Sequence, residues 1–218
     1  MALRVETLQD ADVEEYIRIR HAAFRSNPAL GHFIQPTADI SPDDIASSAA
    51  QTRKAMRENP DVRFAKVVDE NGTMIATAHW HVYEHERTQE QQEEIQRMAP
   101  LPPQANAAAW NDFFGYLSES RRDILGTRPA VLLHILVTHP THHRRGAGAL
   151  LLQRALEDAD RLGLEAYLEA SEAGRNLYAR YGFESVFRKE FDLEKYGGSG
   201  TDANTVMIRP PRKSGQRI

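Results

Sequence analysis

The stretch Thr141 to Arg154 reads THHRRGAGALLLQR, with histidines, paired arginines and two glycines one residue apart ahead of an apolar run. Where a buried strand ends and a helix opens at a glycine-rich turn, backbone N–H groups and the positive end of the helix dipole converge on one small concavity that prefers anions, phosphate above all. Gly146 and Gly148 clear side chains from the path of a close ligand, and Arg144 and Arg145 add charge-assisted donors. A second set of chemical groups lies on strand-like runs. His79, His81 and Tyr83 alternate onto one face of Met74–Tyr83, and His134 is the only ionisable residue in the run PAVLLHILV. Two strand histidines with His134 have the makings of a zinc set, but no carboxylate accompanies them in a ligand motif, and no metal is called for.

The elements that position these groups follow from pattern. Leu3–Leu8 reads as a strand, and Asp10–Phe24 as a helix with Asp10 able to cap it. Arg25–Ile40, rich in Pro, Gly and Asn, reads as a loop. Ser41-Pro42-Asp43-Asp44 starts a helix running to about Glu58. Val62–Val68 and Met74–Tyr83 pair as a hairpin around the turn Asp69–Gly72. Pro129–Val137 is a central buried strand, with Leu132, His134, Leu136 and Thr138 expected on one face by strict alternation. A helix over Ala147–Leu162 turns Leu151, Ala155, Ala159 and Leu162 inward and stops at Gly163. Strands at Leu164–Ala170, Phe183–Leu193 and Thr205–Ile208 and a short helix at Gly174–Tyr181 complete a mixed α/β chain. The Glu/Gln-rich run after Glu84, then PLPP, then a helical pattern of Trp110, Phe113, Phe114 and Leu117, mark residues 84–128 as an inserted, mostly helical excursion whose acidic part is a solvated face or a loop.

Composition narrows the function. At 218 residues, 41% hydrophobic and 27% charged, the chain has the makings of one globular domain with an insertion. The net charge of -4 argues against general nucleic-acid binding, and the basic end RPPRKSGQRI (residues 209–218) reads as a flexible tail from 210 rather than a nucleic-acid arm. Without cysteine there is no disulfide, thiolate nucleophile or thiolate metal site. The N-terminus lacks a signal-like apolar run and no segment has the length of a membrane span, so a cytoplasmic location without membrane partners is expected. A homodimer is compatible with all of this. Among phosphate motifs, neither GxxxxGK with Ser or Thr nor GxGxxG is present, since Gly146-Ala147-Gly148 continues Ala149-Leu150-Leu151.

The segments VTHPTHHRRGAGALLL and LEASEAGRNLYARYGFE resemble the two signature motifs of the GNAT (GCN5-related) N-acetyltransferases, a likeness that spans Pro129–Phe187 and, by element order alone, Leu3–Tyr83. Pro140, Gly146 and Gly148 match the first motif, and His143 stands where Gln or Arg is usual. The resemblance implies a mostly antiparallel sheet flanked by helices with a splayed central strand pair. It also implies that His143, Arg144, Arg145, Gly146, Ala147 and Gly148 cradle the pyrophosphate of acetyl-CoA. Leu136, Val137 and Thr138 would hold the acetyl group, a main-chain N–H there meeting the thioester oxygen. Ser171 stands where many relatives contact pantetheine through Asn, and Tyr178 falls on the tyrosine that protonates the departing thiolate. His134 aligns with one of two strand histidines of aralkylamine N-acetyltransferases. Leu132 takes the place of the other, and of the glutamate base of histone-type relatives.

Acetyl transfer needs a neutral amine, and freeing one with a pKa of about 10.4 at pH 7 costs roughly 4.6 kcal/mol. His134 is the candidate base, or else a satisfied core residue; His79, His81 and Tyr83 are candidates for the lining of the acceptor pocket. The implied function is acetyl-CoA-dependent acetylation of a primary amine, more in keeping with a small molecule than with a histone tail. A module of the same fold that binds acyl-CoA without turning it over, or one that docks a protein through the insertion, is the alternative.

Overall fold

A single bulged residue, His134, decides how the sheet presents its side chains. The computed structural model describes residues 2–26, 29–35, 39–98, 100–102 and 104–211. Seven strands, β1 (Arg4–Thr7), β2 (Val62–Val68), β3 (Met74–Tyr83), β4 (Ala130–Thr138), β5 (Glu165–Ser171), β6 (Glu184–Asp192) and β7 (Thr201–Arg209), form one sheet in the order β1-β2-β3-β4-β5-β7-β6. All neighbours are antiparallel except β4 and β5. That parallel pair is registered only from Ala130↔Glu165 to Leu133↔Leu168, so the C-terminal half of β4 parts from β5. Across β3, His79 faces Ile135 while Trp80 faces Leu133, which leaves His134 as the extra residue of a β-bulge.

The bulge overturns the expected common face for Leu132, His134, Leu136 and Thr138. Leu132 packs with Tyr83 and Tyr167 on one side of the sheet, and His134 contacts His79 and His81 there. Leu136 and Thr138 lie beside Gly148 on the other side, because the extra residue resets the two-residue alternation.

That other side is covered by α6 (Ala147–Leu162) and α7 (Glu172–Arg180). Leu151, Ala155 and Ala159 are buried against Ala78, Trp80, Val131 and Leu133, and Leu162 packs beside them, as the spacing requires. Trp80, a large buried side chain, gives its indole N–H to the Asp158 carboxylate at 3.0 Å. Gly163, at φ +65°, stops α6 in the left-handed conformation that glycine tolerates.

The histidine side is covered by α1 (Val13–Arg25), α2 (Leu30–Ile34), α3 (Pro42–Glu58), α4 (Gln89–Gln96) and α5 (Ala107–Ser120). At α1 the expected cap does not form: a 3-10 turn over Asp10–Asp12 precedes the helix, and Asp10 instead pairs with Arg53 at 3.2 Å. Ser41 caps α3 as expected, its Oγ accepting from the Asp44 N–H at 3.1 Å. Arg25–Ile40 is not all loop. Within it α2 forms because Phe33 seats against Gly198, where a Cβ would lie 2.6 Å from the ring, and the Leu30 N–H is held by Asp202 at 2.9 Å. These are tertiary contacts that local sequence does not show.

Within residues 84–128, α4, α5 and the turn that follows α5 roof the sheet. Thr88 and Gln91 close a capping box at α4, Asn106 caps α5, and Ile95, Ala109, Tyr116 and Leu125 pack onto Tyr83, Leu132 and Tyr167. Among the described residues no helix is long and apolar enough to cross a membrane. The expected tail lies, from residue 212 on, outside the described residues.

Candidate active site

The glycine turn has the backbone geometry that an anion site at a helix mouth requires. Pro140–His142 form a 3-10 turn, Arg144 takes a left-handed φ of 61°, and Gly146 follows at φ +90° as the residue before α6. At the mouth of α6 the Ala149 N–H bonds to the Gly146 carbonyl at 3.1 Å, while the N–H groups of Ala147 and Gly148 precede the first helical hydrogen bond and point back at this turn. Gly148 keeps the helix close to β4: a Cβ there would meet Leu136 at 3.4 Å and Leu177 at 3.5 Å. Ala147 is buried beneath the turn. His143 donates through Nε2 to the Thr138 carbonyl at 3.1 Å, tying the turn to the end of β4. Arg145 is clasped by the β2–β3 turn, within 3.8 Å of Asp69 and 3.5 Å of Glu70, and donates to Nδ1 of His142 at 2.9 Å. It braces the turn instead of standing free, whereas Arg144 is exposed with no ion pair among the described residues.

At the parting of β4 and β5, Leu136, Val137 and Thr138 pair only with β3, through Ala78, Thr77 and Ala76, so their other edge faces the opening. Ser171 ends β5 and caps α7, its Oγ accepting from the Gly174 N–H at 3.3 Å and keeping its own O–H to give. Tyr178, on the α6 side, is held edge-on to Phe183 with centroids 5.9 Å apart. Burial pushes its pKa up to about 12, so the phenol keeps its proton throughout the neutral range. Gly174, one turn earlier, makes the space: a Cβ would stand 2.9 Å from Cε2 of Tyr178.

On the opposite side the histidines meet. The ring of His134 stacks on His79 at 5.4 Å and stands perpendicular to His81 at 4.7 Å. His79 Nδ1 is 2.8 Å from the Tyr16 hydroxyl, and His81 Nδ1 is 2.9 Å from that of Tyr83, over whose ring the Arg87 guanidinium sits at 4.4 Å. The Nε2 of His134 is buried without a hydrogen-bond partner among the described residues. Burial is the largest cause pushing all three imidazoles below their ordinary range, His81 to about 4, with Arg121 adding to each. They are neutral at pH 7. Among the described residues no three or more His, Cys, Asp or Glu are arranged to hold a metal.

The four strand residues picked out by alternation and type therefore come together. The sequence did not disclose their supports. Tyr16 reads there only as part of an apolar helix face, and Arg121 and Glu169, a buried pair at 2.9 Å, lie 48 residues apart in sequence and meet only when the segment after α5 folds onto β5. Glu169 did leave a trace, as a carboxylate inside the otherwise apolar run AYLEA.

A sequence profile of the Acetyltransferase (GNAT) family matches residues 35–183. Solved structures share the fold. Arylalkylamine N-acetyltransferase 2 from Aedes aegypti superposes with a TM-score of 0.68 at 13% identity, over 96% of this chain and 99% of that one. Drosophila melanogaster polyamine N-acetyltransferase, described as forming N-acetylagmatine, gives 0.64 at 14% over 96% and 100%. The yncA protein of Salmonella typhimurium, solved with its cofactor acetyl-CoA, gives 0.59 at 15% over 100% and 99%. With a profile that spans most of the chain, a sheet parted between β4 and β5 and a glycine turn at the mouth of α6, the chain belongs to the GNAT acetyltransferase family.

Proposed function

We propose that the chain is an acetyl-CoA-dependent N-acetyltransferase of a small primary amine, working by direct attack on the thioester. The observation that carries this reading is the placement of His134 and Tyr178 on opposite sides of the sheet beside the parting of β4 and β5. Acetyl-CoA supplies an activated acyl group. The turn at His143–Gly148 fits its pyrophosphate through main-chain N–H groups, with Arg144 free to add charge, and Leu136–Thr138 offer an unpaired strand edge to the acyl end. Ser171 borders the same opening.

The amine approaches from the histidine side. Its nitrogen bonds to the carbonyl carbon, the C–S bond breaks, the nitrogen's surplus proton passes to the neutral His134, and the departing sulfur takes a proton from Tyr178. The orphaned Nε2 of His134 is the atom with capacity to accept. His79 and His81 wall the acceptor side, and Tyr83, buried under Arg87, holds His81 in place. A small acceptor suits a face roofed by α4 and α5, and Leu132 gives that face no carboxylate where histone-type relatives have their base. A cytoplasmic setting, where acetyl-CoA is available, completes the reading.

The test is thiol release from acetyl-CoA against arylalkylamines, polyamines, amino acids, aminoglycosides and lysine peptides, together with calorimetric binding of acetyl-CoA. Amine-dependent release by one small-molecule class supports the proposal. Binding that no amine converts to release would favour an acyl-CoA-binding module, and release confined to lysine peptides would overturn the small-molecule acceptor.

A further inference from the structure

We propose that Arg121 is a positioning residue for acetyl transfer, the latch by which the 84–128 insertion is held closed over His81 and His134. The inference rests on the proposed acceptor side and deepens it.

Arg121 opens a π-helical turn (Arg121–Leu125) directly after α5, a geometry that recurs at functional sites. Its guanidinium makes both bonds to the Glu169 carboxylate, Nε at 2.9 Å and Nη2 at 3.0 Å, with side chains only 12% and 5% exposed. Nη1 donates to the carbonyl of Ile95 in α4 at 3.0 Å. One side chain thus joins α4, the end of α5 and β5. The Arg121 carbonyl is used as well, accepting from Gln92 Nε2 and from the Gly126 N–H, each at 3.0 Å.

The position of Glu169 gives the latch its meaning. It is the first β5 residue past the last registered pair with β4, Leu133↔Leu168, so the insertion is fastened at the point where the strands part. A buried ion pair is a weak stabiliser, since desolvation offsets most of the attraction, and two apolar residues would pack as well. What an apolar pair would lack is charge and a fixed fork. The groups facing the histidines are Tyr16 and Arg20 from α1, Tyr83 and Arg87 from the end of β3 and beyond, Tyr167 and Glu169 from β5, and Arg121 from the insertion. Of these, Arg121 bears on all three imidazoles, and its own charge is favoured by the carboxylate of Glu169 beside it.

The experiment compares Arg121→Met, Arg121→Lys, Glu169→Gln and Arg121→Met/Glu169→Met with the intact chain, by kcat and KM across pH about 5 to 9 and by hydrogen exchange in residues 89–125. Arg121→Met should raise exchange there at least about tenfold, and raise KM for the amine about fivefold or more while KM for acetyl-CoA stays within about twofold. Without the Arg121 charge that disfavours their protonated forms the histidines hold protons more readily, so the acidic limb of kcat should move up in pH. The double variant, which lacks the same charge, should move the limb in the same direction. Arg121→Lys, which keeps the charge without the fork, should leave the limb in place and still raise the amine KM. Unchanged exchange in 89–125, or an equal rise in both KM values, would overturn the latch. A loss of activity in Glu169→Gln of a thousandfold or more, about 4 kcal/mol, without change in exchange would make Glu169 the base and also overturn it. If no amine supports turnover even in the intact chain, the acceptor reading fails, and hydrogen exchange alone still decides whether Arg121 fastens the insertion.

Discussion

His134 and Tyr178 lie on opposite sides of one sheet, the first against His79 and His81, the second in the core shared with α6. The parting of β4 from β5 after Leu133↔Leu168 leaves an opening between the two sides. A reaction seated there can lose a proton from its nucleophile on one side and give one to its leaving group on the other, so the two groups never compete for the same proton.

Gly174 tests whether the position of the phenol matters. An alanine there would place Cβ 2.9 Å from Cε2 of Tyr178, and the ring has to move. Gly174→Ala should cost about 1–3 kcal/mol of stability and lower kcat about tenfold, with little change in KM for acetyl-CoA. Gly115→Ala is the control, since nothing stands within 4 Å of a Cβ inside α5. It should stabilise the fold by about 0.5–1 kcal/mol. Chemical denaturation and steady-state kinetics on the two variants check both statements.

Gly146 tests the cradle. Its φ of +90° is strained for any residue with a Cβ, though open space surrounds the position. Gly146→Ala should therefore act through the conformation of the turn, costing about 1–2 kcal/mol and weakening acetyl-CoA about tenfold, as measured by calorimetry. An unchanged affinity would mean that the turn does not grip the ligand.

The three depressed imidazoles make stability depend on pH in one direction. Their folded pKa values lie below the unfolded value of about 6.5, so as pH falls below that value the unfolded chain takes up protons that the folded chain refuses. Stability is full above this range and is lost on acidification, for His81 until about pH 4. From pH 7.5 to 5.5 each histidine should cost about 1.4 kcal/mol, close to 4 for the three together. Urea unfolding at the two pH values measures the loss, and His134→Phe should remove about a third of it.

Much of this was legible in the sequence because it was local. The capping serine at Ser41, the turn over Asp69–Gly72, the inward stripe of α6 and its stop at Gly163 each follow from a few neighbouring residues, and each is present. What depended on distant contacts was hidden. Strict alternation along β4 failed at His134, because a bulge arises from pairing with β3 and leaves no mark of its own in VLLHILV. Helix α2 is held by Phe33 against Gly198 and by Asp202, far along the chain. The grouping of His79, His81, Tyr83 and His134 was readable from alternation and residue type, whereas Tyr16, Arg121 and Glu169 join them only through helix packing and the folding of the segment after α5 onto β5.

The most direct test of the account is kcat for amine-dependent thiol release by Tyr178→Phe and His134→Ala, measured beside the affinity of each variant for acetyl-CoA. The account predicts that kcat falls tenfold or more, about 1.4 kcal/mol, in each variant while acetyl-CoA binds as before. Rates within twofold of the intact chain in both would contradict it, and would leave the turn at His143–Gly148 as a binding site without the proposed chemistry.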